Sequence, residues 1–241
     1  MGSAQGVWDI ADVITASRMN RKTLIGDTGA NLSALGTTYA GQLAFCTTTG
    51  SGFTIEQLYQ RNSGNTAWVA LSVSGLQDMW IPSSAMWARA TNAPSGLTRT
   101  ETTTNKINYQ TWDFDATTQE FVQFTWQPPR NWNNGTVKFT PYWTAASGSG
   151  TFICDLKGGA FSNDDALDTA LGTLQSSTDT LITAVDVHVG PQSAAITIAG
   201  TPADSDLIFF QVDRDVADTI AVDVLLLGIT LEITLDSSVA A

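Results

Sequence analysis

Phe121-Val122-Gln123-Phe124-Thr125-Trp126 runs to Pro128-Pro129, turns at Asn133-Asn134-Gly135, and returns as Thr136-Val137-Lys138-Phe139-Thr140-Pro141-Tyr142-Trp143. In the first run Phe121, Gln123 and Thr125 alternate with Val122, Phe124 and Trp126. That period of two puts alternate side chains on opposite faces of a strand. Asn134-Gly135 is a strong hairpin signal between such runs, because both residues tolerate the positive backbone angles a hairpin needs. The segment therefore predicts two strands and a turn, and the rest of the chain repeats the theme.

Working outward, Ser84 to Ala90, Lys106 to Phe114, Gly150 to Leu156, Leu181 to Val189, Ala194 to Ile198 and Ser205 to Asp213 also read as strands. Ile220 to Leu235 is long enough for one bent strand or two. Turn clusters separate them, among them Ser147-Gly148-Ser149-Gly150, Gly190-Pro191 and Gly200-Thr201-Pro202. The stretch 163–173 reads as a loop ornament. About eight antiparallel strands imply two packed sheets, with a jelly roll as the first choice. The fold class expected is all-β: a small N-terminal anchor over 1–36, a small β module over 37–75, and a jelly-roll-like antiparallel β-sandwich over 76–241. In the anchor, Thr15 is placed to cap a short helix from Ala16 towards Leu24. In the module, Gly41–Cys46, Phe53–Arg61 and Thr66–Leu71 read as three strands, and Ser72 to Gln77 as the linker.

Composition narrows the function. The 241 residues carry a net charge of −12 and one histidine. Residues 1–150 are balanced, with 9 acidic and 9 basic side chains. Residues 151–241 hold 14 acidic side chains against Lys157 and Arg214 alone. Such a surface repels phosphate backbones, so no nucleic-acid partner is expected. No membrane insertion is expected either: the longest apolar run, Ala221 to Ile233, is interrupted by Asp223 and Glu232 and is too short to span a bilayer. The start, Met1 to Gly6, lacks the basic region and apolar core of a secretory signal. Cys46 and Cys154 sit in apolar runs and read as small buried hydrophobes, with a disulfide left open.

No constellation of catalytic type stands out. A lone His188 builds neither a histidine-rich metal site nor a triad. Asp113 with Asp115, Asp164 with Asp165, and Asp204 with Asp206 are short-range pairs in turns or strand ends, with nothing to mark a glycosidase cleft. Asn163-Asp164-Asp165…Asp168 only half matches a calcium loop. Gly26-Asp27-Thr28-Gly29 lacks the Lys-Ser/Thr tail of a phosphate loop. Catalytic, cofactor and metal residues are all expected to be none. Asp213-Arg214-Asp215 reads as an ion-pair cluster at a strand end. Eight tryptophans all precede residue 150. Most should be core, but Trp126 and Trp132 flank a proline-rich turn and are the candidate pair for stacking on sugar rings.

Two segments carry a resemblance. Trp8-Asp9-Ile10-Ala11-Asp12-Val13-Ile14-Thr15-Ala16-Ser17-Arg18-Met19-Asn20 resembles the W-x-x-G-D-x-I-T-A-x-x-x-N opening of tailed-bacteriophage fibre and minor virion proteins, with Ala11 where Gly is usual. Gly41 to Cys46, Tyr59 to Asn62 and Trp68-Val69 are similar to the β module that follows it there, and Gly200 to Ile233 resembles a phage virion β-sandwich. The resemblance implies a non-enzymatic structural protein of a phage particle, made in the host cytoplasm and located in the virion. It implies a fibre or spike that projects a β-sandwich, meets itself as a homotrimer, and contacts other virion proteins through residues 1–36. Trp8, Ile10, Val13, Ile14 and Met19 are the candidate anchor residues, and a host surface glycan is a candidate partner. A capsid-surface decoration or cement protein is the alternative, and a polysaccharide hydrolase stands behind both.

Overall fold

The computed structural model describes residues 25–28, 43–48, 58–61, 64, 66–70, 75–203 and 205–236. The candidate anchor residues Trp8, Ile10, Val13, Ile14 and Met19, and the helix expected from Ala16, lie outside the described residues. The chain divides into two compact units, Met1–Val73 and Ser74–Ala241.

The first unit holds a four-stranded sheet in the order β1-β2-β3-β4: Ile25–Thr28, Leu43–Thr48, Leu58–Arg61 and Trp68–Ala70. β1 runs parallel to β2, and the other pairs are antiparallel. β1 was not among the three strands expected here. Its four residues, Ile-Gly-Asp-Thr, are too few and too polar to show a strand's apolar alternation. Ala44 and Tyr59 are buried on this sheet, and the Arg61 guanidinium lies 5.5 Å above the Trp68 ring.

The second unit is a β-sandwich. Its strands are β5 Gly75–Pro82, β6 Trp87–Ala88, β7 Leu97–Glu101, β8 Asn108–Phe114, β9 Phe121–Trp126, β10 Lys138–Thr144, β11 Gly150–Phe161, β12 Gln175–Leu181, β13 His188–Val189, β14 Leu207–Arg214 and β15 Val224–Leu235. Sheet I has the order β13-β10-β15-β8-β7, with β5 also on β15. Sheet II has the order β12-β11-β14-β9-β6.

The topology follows from one pairing rule. β8 pairs with β15, β9 with β14, β10 with β13 and β11 with β12. The first four strands thus meet the last four in reverse, as one long antiparallel hairpin. That hairpin is rolled so that β10 also meets β15 and β11 also meets β14. This is a jelly roll; β5, β6 and β7 are additions at its margins.

Alternation explains the core. Val122, Phe124 and Trp126 of β9, and Ile208, Phe210 and Val212 of β14, point inward from sheet II. Phe139 and Trp143 of β10, and Ile229, Leu231 and Ile233 of β15, meet them from sheet I. The Phe124 and Phe210 rings stack at 5.0 Å. Burying such side chains is worth about 1.5–3 kcal/mol each before entropy is charged against it.

Several details depart from the sequence reading. Ala194 to Ile198, expected as a strand, holds only an isolated bridge from Ile196 to Val137, and Ser84 to Ala90 is a 3-10 turn followed by the two-residue β6. Gly75 to Gln77, expected as linker, belong to β5 and pair with Ile233 to Leu235. Leu181 to Val189, expected as one strand, is the end of β12, a connection, and the two-residue β13. Val185 in that connection has φ 71°, a left-handed backbone foreign to a strand. Leu97–Glu101 pairs with β8 although its sequence has no apolar alternation.

Candidate functional site

β15 is flanked on one side by β10 along most of its length. On its other side two strands share the edge: β8 beside Val224–Leu226, and β5 beside Gly228–Leu235. Where one gives way to the other the sheet has a notch. A cavity of about 590 Å³ opens there, lined by Trp80 and Pro82 of β5, Ser83 and Ser84 of the 3-10 turn, Arg99, Asn108, Tyr109 and Gln110 of the β7–β8 hairpin, and Tyr142 and Leu227.

Gly228 shapes this notch. The β10–β15 register slips between Tyr142 and Trp143, so Gly228 sits in a bulge opposite both Tyr142 and Pro82. Its φ of 155° suits glycine, and a Cβ there would lie 2.5 Å from the Ile81 carbonyl oxygen and 2.7 Å from the Trp80 ring. The bare backbone lets Trp80 lie across β15 and meet Tyr142 edge-on, centroids 5.0 Å apart at 85°. Edge-to-face contact fixes the indole orientation, yet Trp80 stays 48% exposed. An aromatic ring held rigid and half in water is a surface for stacking, and it was not among the expected site residues.

Polar groups rim the rings. The Arg99 Nε donates to Asn108 Oδ1 at 3.3 Å, and the Asn108 amide reaches Glu101. Glu101 is itself paired with Lys106 at 3.5 Å. The Trp112 indole N–H donates to the Ser83 carbonyl, and the Ser83 hydroxyl to the Leu226 carbonyl, which pins the 3-10 turn against the notch.

The residues expected to act at the surface behave differently. Trp126 and Trp132 are 7% and 2% exposed, and they pack on each other with centroids 5.2 Å apart. The register sets Trp126 inward opposite Ile208, and Trp132 bridges to Leu235. Neither presents a ring to a sugar, so the surface role expected for them is corrected: both are core.

Asp213, Arg214 and Asp215 do not form one ion-pair cluster. Successive residues of a strand face opposite ways, so Arg214 is buried in the interior and Asp213 lies on the outer face of sheet II. Arg214 pairs with Asp218, Nε to Oδ2 at 2.8 Å and Nη2 to Oδ1 at 2.9 Å. Its remaining N–H groups reach the carbonyls of Phe114, Val222 and Ile220. Asp213 instead accepts from Gln119 Nε2 at 2.7 Å and faces Asp155 across the ladder. Burial raises the pKa of Asp213 to about 6, and burial likewise raises that of Asp155. Asp215 ties its own turn through the Ala217 N–H.

The remaining candidates are structural. His188 is buried against Trp143, centroids 4.7 Å apart, with its Nε2 at 2.9 Å from the Thr183 carbonyl. Asp113 accepts from Thr98 and Thr111, Asp115 from Thr117 and Thr118, and Asp206 from Ser162 and the Ala203 N–H. Cys154 is a free thiol in the core, and burial pushes its pKa well up. Among the described residues no three His, Cys, Asp or Glu side chains gather as metal ligands, and no helix is long and apolar enough to cross a membrane.

No family model and no curated protein matches the sequence. Solved structures with a similar course of the chain include a carbohydrate-binding module, CBM28, specific for non-crystalline cellulose (14% identity, 64% of this chain and 89% of that one, TM-score 0.41). Others are the CBM36-1 domain of a multidomain xylanase from the hindgut metagenome of Trinervitermes trinervoides (12%, 68% and 100%, 0.33) and the mannan-recognising module TmCBM27 (7%, 67% and 97%, 0.32). At these identities and scores the likeness carries no functional weight.

Proposed function

We propose that this protein is a non-enzymatic binding protein whose jelly roll holds a saccharide in the notch between β5 and β8. The observation that carries the reading is Trp80: an indole fixed by Tyr142 over Gly228, half exposed above a cavity of about 590 Å³. A pyranose has apolar C–H faces and a rim of hydroxyls. The Trp80 ring suits the faces. The amides of Asn108 and Gln110 and the guanidinium of Arg99 suit the hydroxyls, since together they offer both donors and acceptors. Sites of this kind are concave, partly aromatic, and carry a few placed polar groups.

The setting of this activity is a phage particle, a reading supported by residues 8–20 and by the β module. There the chain is a fibre- or spike-like subunit, trimeric, that attaches to host surface glycan. Electrophoresis through gels containing host polysaccharide tests the binding. Retardation of the wild type and free migration of Trp80→Ala are expected; equal migration of both overturns the notch. Sedimentation tests the trimer, and labelled antibody on intact particles tests the location. A capsid-decoration role is favoured by a different observation, the exposed Ile182, Val185, Val187 and Val189 about the β12–β13 connection. Those side chains suit a contact with a neighbouring virion subunit. Antibody spread over the capsid shell rather than at its tail would select that role.

A further inference from the structure

Sheet II has an outer face that the notch does not use. Cross-strand pairs place Trp87 opposite Gln123, Gln123 opposite Gln211, and Gln211 opposite Lys157. Residues directly opposite in a ladder share a face, so these four form one row over β6, β9, β14 and β11. Three strand spacings make that row roughly 14 Å long. Trp87 at its margin is 43% exposed, while Gln211 in its middle is 4% exposed. The row therefore has an open aromatic rim and a sunken polar floor.

The floor is not satisfied by the protein. Among the described residues four buried side-chain polar atoms lack a hydrogen-bond partner, and two of them are here: Gln211 Nε2 and, one pair further along β11, Asp155 Oδ1. Asp155 is 2% exposed. The Gln211 amide has a defined orientation. Its Oε1 accepts from Gln123 Nε2 at 3.4 Å and from Arg89 Nη1 at 3.5 Å. Arg89 has only donors to offer, so the amide oxygen must face it and the NH2 group turns towards Asp213 without completing a hydrogen bond. Leaving such groups dry costs on the order of a hydrogen bond each, so buried polar groups are normally paired. Beside the row a second cavity of about 240 Å³ runs under the 162–174 loop, between Gln123, Phe161, Phe209 and Leu171.

We infer that this face is a second saccharide-binding groove, separate from the notch, that takes a neutral oligosaccharide lengthwise from Trp87 to Lys157. The chemistry selects the ligand class. An unpaired donor and an unpaired acceptor lie close together, and a hydroxyl serves both at once. Trp87 supplies a stacking surface at the same register. Two cations, Lys157 and Arg89, stand beside two carboxylates, Asp155 and Asp213, so the floor has no surplus positive charge for an acidic sugar.

Isothermal titration with gluco-, manno- and galacto-configured hexasaccharides tests the groove in the full-length protein, comparing wild type, Trp80→Ala, Trp87→Ala and Lys157→Ala. The expected result is two sites per chain in the wild type, one in Trp80→Ala, and one in Trp87→Ala with the notch affinity unchanged. Lys157→Ala, a change at the half-buried far end of the row, keeps the test valid if Trp87→Ala loosens the sheet margin; a loss of at least tenfold at one site is expected. Wild-type binding by both Trp87→Ala and Lys157→Ala overturns the groove and spares the notch. Loss of all binding in Trp87→Ala with none in Trp80→Ala overturns the notch and supports the groove. If no hexasaccharide binds the wild type, the groove is overturned and its orphan atoms hold ordered water only.

Discussion

At the end of β14, where the 215–223 loop begins, Arg214 is fully buried, and all of its N–H groups are spent on the Asp218 carboxylate and three backbone carbonyls. In the notch Arg99 is exposed, with one hydrogen bond to Asn108 and no carboxylate within ion-pair distance among the described residues. The same side chain closes one region and leaves the other unfinished. Every donor spent inside the protein makes Arg214 a staple that ties the β14–β15 crossover to the end of β8. Donors left over face solvent at Arg99, where the proposed saccharide would meet them. The lesson is that a charge at a functional surface is recognised by what it lacks.

The largest effect should come from breaking the closed region. Arg214→Met strands the Asp218 carboxylate and three carbonyls in the interior. A loss of roughly 3–5 kcal/mol is expected by urea denaturation, enough to unfold much of the population at 37 °C. A loss under about 1 kcal/mol would show that the loop closes without its staple.

Gly228→Ala probes the point where the notch depends on the fold. Its Cβ has no room beside the Ile81 carbonyl and the Trp80 ring. Roughly 2–4 kcal/mol of stability should be lost, together with saccharide retardation, because Trp80 must swing off β15. Full binding by this variant would detach the Trp80 orientation from Gly228.

Asp213 gives a pH signature. Its carboxyl holds a proton more tightly folded, at about 6, than its ordinary value of 3.8. Stability from this group is complete below about pH 4 and is lost as pH rises through 6, by up to roughly 3 kcal/mol. Asp213→Asn should flatten that slope in melts between pH 4 and 7 and raise the melting temperature at pH 7. An unchanged slope would mean that the carboxylate is well solvated in the folded state.

The smallest stability effect belongs to the open region. Trp80→Ala should cost roughly 1 kcal/mol or less, since it gives up one edge-on ring contact from a half-exposed position, while saccharide affinity falls at least about tenfold, or 1.4 kcal/mol. A large drop in melting temperature with intact binding would invert the contrast between the two regions.

Much of the jelly roll was legible because its inner strands alternate strictly. Val122, Phe124 and Trp126 announce one buried face. The hairpin signalled by Asn134-Gly135 does not form: β9 pairs with β14 and β10 with β15, so the chain crosses there from one sheet to the other. The site was much less so. Trp126 and Trp132 drew attention because a proline-rich turn joins them, but proline content does not say which face a neighbouring tryptophan takes; the pairing with Ile208 and Leu235 does. Trp80 lies outside the strands read from the sequence. Two signals marked it: the alternation Met79-Trp80-Ile81, and Gly228 inside an otherwise apolar run, where an isolated glycine indicates a bulge or a close approach. The row on sheet II depends on register between four strands distant in sequence, and no local pattern encodes that.

Gly75 opens β5, and it pairs with Leu235 at the end of the last described strand. Tension applied between these two points loads the β5–β15 ladder one hydrogen bond at a time, as a zipper is opened, rather than all its bonds together in shear. β5 therefore peels before the rolled strands beneath it feel the pull. Because β5 carries Trp80, a stretched molecule loses the contact between Trp80 and Tyr142 before its jelly roll opens.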